Sequence, residues 1–302
     1  MSTKNEIKKE ILFCFLDDYE SLEEALQKVF FCSKSVLSKY IDNKKKLKQK
    51  VYAKKEYAID LNLVNYLMIN PDYKSKELEI LLENDNYLVI NKIFGIHTHP
   101  LCYDEVDNCL SFLRARNYSI LLQVNQNSYD RGLLFRLDQV TSGVLVYVKN
   151  EKLLLKLRDH YFKLVKKKTY LAIVEGKLDH TCNLSHYFSK SQIKGKKIKV
   201  HDCEVENSRQ GVCEVYPLKF NQNDNVSLIK IELKTGLRHQ IRAQLSYIGF
   251  PILGDELYGG KSAARVFLHA YNYVINEPEA FLDVKSSKAD LFESFFNLNT
   301  CL

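Results

Sequence analysis

The sequence predicts an α+β protein: a small N-terminal α+β module over residues 1–75 and a larger, strand-dominated domain over 76–302. Three observations carry this expectation. The chain has 302 residues, enough for about two domains of ordinary size. Its composition breaks sharply, because all eleven glycines lie at or beyond Gly95 and all arginines at or beyond Arg114, while lysine is abundant throughout. Downstream of the turn signal Asn70-Pro-Asp72, β-branched and aromatic runs outnumber helical patterns and follow one another, which favours α+β over a doubly wound parallel sheet.

In the N-terminal module, Ser21-Leu-Glu-Glu24 is a capping box that opens a helix. Leu22, Ala25, Leu26 and Val29 then fall on one buried face. Ser33 is placed to cap a second helix carrying Val36, Leu37, Tyr40 and Ile41. Lys34 to Lys55 holds nine lysines and a single acid, Asp42, ahead of a basic, strand-like tail. Such a run is a solvated face or a nucleic-acid footprint, with Lys44, Lys45 and Lys46 at its centre.

The second domain reads as strands at 87–91, 132–138, 143–149, 169–174, 214–220, 227–233 and 266–275. Asn150 can cap a helix bearing Leu153, Leu154, Leu157, Tyr161 and Leu164 on one side, and a further helix is expected over 238–248, stopped by Gly249. Lys190, Lys194, Lys196, Lys197 and Lys199 are expected on a loop.

Composition also limits the functional classes. Hydrophobic residues make up 46% and charged residues 27%, the balance of a chain that buries a core without help from metal or disulfide. No apolar run approaches the roughly 18 residues of a membrane span, and Ile11–Leu16 stops at Asp17 and Asp18, too soon for a secretory signal. The eight cysteines (14, 32, 102, 109, 182, 203, 213 and 301) form no C-x-x-C pair. A cytoplasmic protein with reduced thiols is therefore expected. The net charge of +7 is modest, so clustering of cations matters more than their sum.

Three segments could carry chemistry. In Arg136-Leu-Asp138, strand alternation puts Arg136 and Asp138 on one face and Leu137 in the core, followed by the small residues Thr141, Ser142 and Gly143. In Thr235-Gly-Leu-Arg-His-Gln-Ile-Arg242, Arg238 and Arg242 are one helical turn apart. Arg242 lies beside the buried stripe of Ile241, Leu245 and Ile248, a costly placement unless a carboxylate faces it. Asp138 is the candidate, and a guanidinium favours the ionised form of a carboxylate beside it. In Lys168-Thr-Tyr170, Tyr170 follows Lys163, Lys166, Lys167 and Lys168 and could present a flat ring to a nucleobase.

In order along the chain, Asn91-Lys-Ile-Phe-Gly-Ile-His-Thr-His-Pro100, Phe135-Arg-Leu-Asp-Gln-Val-Thr-Ser-Gly143, the strand around Tyr170, Thr235–Arg242, Gly254-Asp-Glu-Leu-Tyr-Gly259 and Phe267-Leu-His-Ala270 together resemble the RluA family of pseudouridine synthases over residues 84–275. Phe135 stands where that family usually has histidine, Ile93 where it has proline, and Leu237 where arginine is common. The resemblance implies a largely antiparallel mixed sheet with flanking helices and an isomerase that converts uridine to pseudouridine in RNA without metal or organic cofactor. It implies Asp138 as the catalytic carboxylate, Arg242 as its salt-bridge partner and Tyr170 as the ring stacked on the target uracil. Arg136, Thr141, Ser142, Arg238, His239, Gln240, Lys166, Lys167 and Lys168 are then expected to meet RNA. The N-terminal pattern of two short helices and a basic tail resembles an S4 RNA-binding module, although the usual arginine and turn glycine are missing. Ribosomal RNA of the large subunit is the favoured substrate, transfer RNA the alternative, and a monomer the default state.

Two other classes are weighed. A metal-dependent hydrolase could use His97-x-His99 with Asp130 or Asp138, but no third ligand follows at a recognisable interval. A non-catalytic RNA binder would have no need of Asp138, Tyr170 and Arg242 together, since gripping phosphates requires only surface cations.

Overall fold

The computed structural model describes residues 10–30, 34, 37–38, 41, 43–60, 63–64, 69–101, 105–116, 118, 121, 124–125, 128, 130–190, 197–286, 292 and 295–296. The chain divides into two compact units, residues 1–77 with 99–132 and residues 78–98 with 133–302. Residues 99–132, which the composition break groups with the second domain, cluster with the first.

In the first unit, β1 (Glu10–Cys14) pairs antiparallel with β2 (Glu56–Asp60), Glu10 opposite Asp60. Helix α1 (Leu22–Phe30) begins at the expected cap: the Glu24 amide donates to Ser21 Oγ at 3.1 Å. The Glu24 carboxylate reaches back one residue further than the motif requires, accepting from the Glu20 amide. Leu22, Ala25 and Leu26 are buried beneath this helix with Phe15, Leu37, Ile41 and Tyr57. Val29 is exposed rather than buried, so the apolar stripe ends a turn early. Ser33, Val36 and Tyr40 of the expected second helix lie outside the described residues. Lys44–Leu47 forms the short helix α2, capped by Asn43, whose side chain accepts from the Lys45 and Lys46 amides. Helix α3 (Cys109–Ala115) is capped likewise by Asn108.

The second unit is built on a ten-stranded sheet of β3 (Glu79–Glu83), β4 (Tyr87–Lys92), β5 (Ser142–Val148), β6 (Val165–Glu175), β7 (Cys182–Lys190), β8 (Ile198–His201), β9 (Arg209–Asn221), β10 (Val226–Leu233), β11 (Leu268–Ile275) and β12 (Leu282–Lys285). Their spatial order is β3-β4-β5-β11-β6-β10-β9-β7-β8, with β12 on β11. Every pairing is antiparallel except β5 with β11, which is parallel. The sheet is thus mixed and largely antiparallel, and the fold is α+β. Strands β4 and β5 are buried along their whole length, which explains why they read as continuous apolar runs rather than alternating ones. At the parallel junction Gly143 faces Ala270 with φ +114°, and a Cβ there would collide with the Ala270 carbonyl. Glycine is required for this close approach, which sets the segment before β5 beside the start of β11.

Helix α4 (Glu151–Asp159) is capped by Asn150 as expected, and the short α5 (Tyr161–Leu164) follows. Helix α6 (Gln240–Tyr247) starts two residues later than expected, because His239 adopts a left-handed conformation, φ +54°. Arg238 and Arg242 are therefore not on one helical face. Residues 132–138 form no strand: Leu133 makes a single bridge to Tyr147 and the chain then runs irregularly to β5. Residues 182–201 contain a hairpin rather than only a loop, with Lys190 opposite Ile198 and Lys199 inside β8; Lys194 and Lys196 lie outside the described residues.

Candidate active site

Two irregular segments and one strand of the second unit bring the candidate groups together. Asp138 sits on the loop before β5. A loop without ladder partners must satisfy its carbonyls by other means, and here Lys92, at the end of β4, supplies them. Its Nζ is completely buried and donates to the carbonyls of Ile93 (3.0 Å), Gln139 (3.1 Å) and Thr141 (2.7 Å). The Thr141 amide donates to the Asp138 carbonyl at 3.0 Å, and the Gly95 amide to that of Gln139 at 2.9 Å. The Asp138 side chain is left 27% exposed.

Opposite, the Thr235–Arg242 segment is tied to itself. The Gln240 Oε1 accepts from Thr235 Oγ1 (2.8 Å) and from the Leu237 amide (3.1 Å), while its Nε2 donates to the Val212 carbonyl (3.2 Å). One turn into the fold, Arg242 is 5% exposed and forms a two-pronged pair with Asp255, which is 1% exposed: Nε to Oδ2 at 2.7 Å and Nη2 to Oδ1 at 2.8 Å. Its remaining prong, Nη1, donates to Asp138 Oδ2 at 3.1 Å. Burial works against the charge, but the Asp255 hydrogen bonds and the two carboxylates outweigh it and raise the guanidinium above its ordinary range. Asp255 is held by its neighbour Gly254, φ +86°, whose missing Cβ leaves room for the Arg265 carbonyl.

His239 lies between these walls. Tyr258 accepts from the Ile198 amide (3.0 Å), so its hydroxyl is able to donate to His239 Nδ1 at 2.9 Å. His239 Nε2 lies 3.9 Å from Asp138 Oδ2. Desolvation holds the imidazole below its usual 6.5, so the ring is neutral at pH 7.

Tyr170, on β6 between Ile231 of β10 and Ala270 of β11, contributes its ring. Burial first, then the nearby Tyr161 and Asp138, push its phenol well above the usual 10. It is protonated at neutral pH and suits stacking or hydrogen-bond donation rather than service as a standing base. Together these residues line an open cleft with Arg136, Asp138, Thr141, Tyr170, His239, Gln240 and Arg242 as its polar groups and leucine and isoleucine side chains as its apolar wall. A carboxylate fixed beside a guanidinium, facing a flat ring in an apolar slot, can bind a nucleobase and stabilise positive charge developing at a neighbouring carbon.

The expected RNA-contacting residues differ in exposure. Lys168 is buried and donates to the Thr235 carbonyl at 2.7 Å beneath the Tyr161 ring; burial lowers its amine to about 8. It holds the Thr235 turn. Gln240 is buried and its amide is taken up by the turn. Ser142 is buried too, sharing a hydrogen bond with His269 Nδ1 (2.8 Å) and accepting from Arg265 Nη2 (2.6 Å). Arg238, Lys166 and Lys167 are exposed. In the first unit Lys44 and Lys45 are exposed, whereas Lys46 pairs with Glu10 at 2.7 Å. Among the described residues no three His, Cys, Asp or Glu side chains are grouped to hold a metal, and no helix is long and apolar enough to cross a membrane. Asp255 and Lys92 were missed as site residues, although each stands in a motif whose glycine or strand end marks it.

The family described as RNA pseudouridylate synthase matches residues 86–247. The chain is similar to the uncharacterized RNA pseudouridine synthase YhcT of Bacillus subtilis, 35% identical over 217 residues that take in 70% of this chain and 68% of that one. It is 31% identical over 204 residues to ribosomal large subunit pseudouridine synthase D of Borreliella burgdorferi, 66% of this chain and 61% of the relative. The chain thus spans about three fifths to two thirds of these curated relatives. Among solved structures, human RNA Pseudouridylate Synthase Domain Containing 1 shares the fold with a TM-score of 0.57 at 23% identity, over 70% of this chain and 83% of that one. With more than half of its length matched by the family and a relative 35% identical across most of both chains, the chain belongs to the RNA pseudouridylate synthase family, of the RluA type that its motifs resemble.

Proposed function

We propose that the protein isomerises specific uridines of RNA to pseudouridine, with Asp138 as the catalytic carboxylate. The observation that carries this reading is the convergence of Asp138, Arg242 and Tyr170 on one cleft, Arg242 Nη1 lying 3.1 Å from Asp138 Oδ2. In this reading the target uridine leaves its stack, a step that costs a few kcal/mol and that contacts to the protein offset, and its base lies on the Tyr170 ring. Breaking the C1′–N1 bond builds positive charge at C1′, which the Asp138 carboxylate stabilises or traps. The base rotates, C1′ joins C5, the C5 proton passes to water, and N1, freed from the sugar, takes up a proton, so that the product is an isomer of the substrate. Arg136, exposed on the rim of the cleft, fills the space that the target vacates. The buried Tyr170 phenol positions the base through its ring and hydroxyl. Arg242 keeps Asp138 aimed, itself anchored by Asp255.

The substrate we favour is large-subunit ribosomal RNA, because relatives of Borreliella burgdorferi and Rickettsia felis, each 31% identical to the matched segment, are named for the ribosomal large subunit. Arg238, Lys166 and Lys167 offer exposed cations near the cleft's strands, and Lys44 and Lys45 are exposed cations of the N-terminal module, which we read as S4-like. We take the protein to act as a cytoplasmic monomer. The purified full chain, incubated with transcripts of large-subunit ribosomal RNA and of transfer RNA, is assayed by chemical mapping of pseudouridine. New pseudouridine in the ribosomal transcript supports the proposal; modification of transfer RNA alone replaces the substrate; no pseudouridine in either, nor any site lost from total RNA when the gene is deleted, ends it.

A further inference from the structure

Arg242 is buried and Arg265 partly so, yet their surroundings differ. Arg242 has two carboxylates. Arg265 pairs with none among the described residues. Its Nε donates to the Val266 carbonyl (3.1 Å) and its Nη2 to Ser142 Oγ (2.6 Å) and the Leu268 carbonyl (3.5 Å). Nη1 has no hydrogen-bond partner among the described residues and is not sealed from solvent. Desolvation without a counter-charge lowers this guanidinium to about 10. A partly buried cation of this kind is stabilised by an anion brought from outside.

The guanidinium carbon lies 4.5 Å from the centroid of the Phe94 ring. Phe94 is 45% exposed, a large apolar ring left in water on the turn after β4. Its neighbour Gly95 bonds the Gln139 carbonyl, one residue from Asp138, while Ser142, which Arg265 grips, is the next residue after the cleft-lining Thr141. The pair therefore stands on the same rim of the sheet as the loop that carries Asp138. An exposed aromatic ring beside an available guanidinium prong matches the two halves of a nucleotide: a base stacks on the ring and a phosphate accepts from the prong.

We propose that Phe94 and Arg265 form a subsite for a nucleotide flanking the target uridine, its base stacked on Phe94 and its phosphate bonded to Arg265 Nη1. The proposal rests on the RNA-modifying reading above and adds to it a contact outside the cleft that holds the target.

The test measures binding of a fluorescein-labelled uridine-rich stem-loop RNA to the full chain by anisotropy, alongside pseudouridine formation in the same RNA. Phe94→Ala weakens binding about tenfold, the scale of one base–aromatic stack, Phe94→Leu weakens it similarly, and Phe94→Tyr restores it. Arg265→Gln lowers the slope of log affinity against log salt by about 0.7, the loss of one single-strand phosphate contact. Thermal melts check folding, and because Phe94 is exposed its variants decide the matter should Arg265→Gln fail to fold. Binding by Phe94→Ala and Phe94→Leu within twofold of the unsubstituted protein, in an RNA that the unsubstituted protein modifies, overturns the subsite alone. An unsubstituted protein that neither binds nor modifies the RNA overturns the subsite together with the reading beneath it.

Discussion

The two walls of the cleft hold their chemical groups by different means. The Asp138 loop is held through its backbone: one buried lysine, Lys92, binds the Gln139 and Thr141 carbonyls of the loop together with that of Ile93. The Thr235–Arg242 wall is held through side chains, by the Gln240 amide at the turn and by the Arg242–Asp255 pair beneath it. The difference teaches where each wall is vulnerable. A change in the helical wall strands a buried charge, whereas a change in the loop wall releases geometry while leaving the ion pairs in place.

Arg242→Ala is the most severe test of this contrast. It leaves Asp255 ionisable, buried and without its partner, and should cost about 3–5 kcal/mol of folding stability as well as turnover. Urea unfolding and an activity assay measure both. Arg242→Lys keeps the charge but not the fork, so it should recover stability better than activity. Stability within a few tenths of a kcal/mol of the unsubstituted protein for Arg242→Ala would erase the difference between the walls.

Lys92→Met is the matching change in the loop wall. It keeps the bulk and removes the donor, leaving inward-facing carbonyls unmet at a cost of roughly 2–3 kcal/mol. Because Asp138 keeps Arg242 but loses its backbone setting, kcat should fall more than RNA affinity. Equal losses in kcat and in affinity would indicate that Lys92 meets RNA instead.

A smaller effect is expected from Tyr170→Phe. The ring remains, so RNA affinity stays within about twofold, and turnover slows roughly tenfold, the scale of one hydrogen bond in a reacting complex. Tyr170→Ala, which also loses the stack, should do worse. Single-turnover kinetics separate the two.

The mildest prediction concerns pH. Lys168 falls from an ordinary 10.5 to about 8 in the folded chain. Between these values the unfolded chain carries a proton that the folded chain has lost, so this residue makes stability rise as pH increases from about 8. Lys168→Met should remove that slope, leaving a flatter dependence of the urea midpoint than the unsubstituted protein shows over the same interval. Parallel curves would mean that the amine is not desolvated.

What the sequence made legible follows from where each signal resides. Caps are local, so Ser21 and Asn150 mark their helices correctly. The buried strands β4, β5, β6, β10 and β11 announce themselves by β-branched and aromatic runs. Residues 132–138 misled because Leu133, Leu134 and Leu137 are indeed buried, yet they are buried as loop anchors, and composition does not distinguish a strand from a loop tied down by a distant lysine. The hairpin β7–β8 was missed because the lysines from Lys190 onward read as a loop, although Leu184, His186 and Phe188 of β7 alternate inward. Asp138, Tyr170 and Arg242 were legible from ordered motifs and converge in space. Asp255 was not, since its role depends on a contact to Arg242 that only the folded chain creates. Lys168 was misread because a charge that looks exposed in a lysine cluster is turned inward by its place on β6, two residues before Tyr170 on the same face.

The central claim is that the Asp138 carboxylate performs the bond exchange on uridine. The direct measurement is release of tritium from RNA labelled at uridine C5, comparing the unsubstituted chain with Asp138→Asn at equal bound RNA. Release by the unsubstituted protein and none above background by Asp138→Asn, with its fold and RNA affinity intact, is the predicted result. Release by Asp138→Asn at the unsubstituted rate would contradict it.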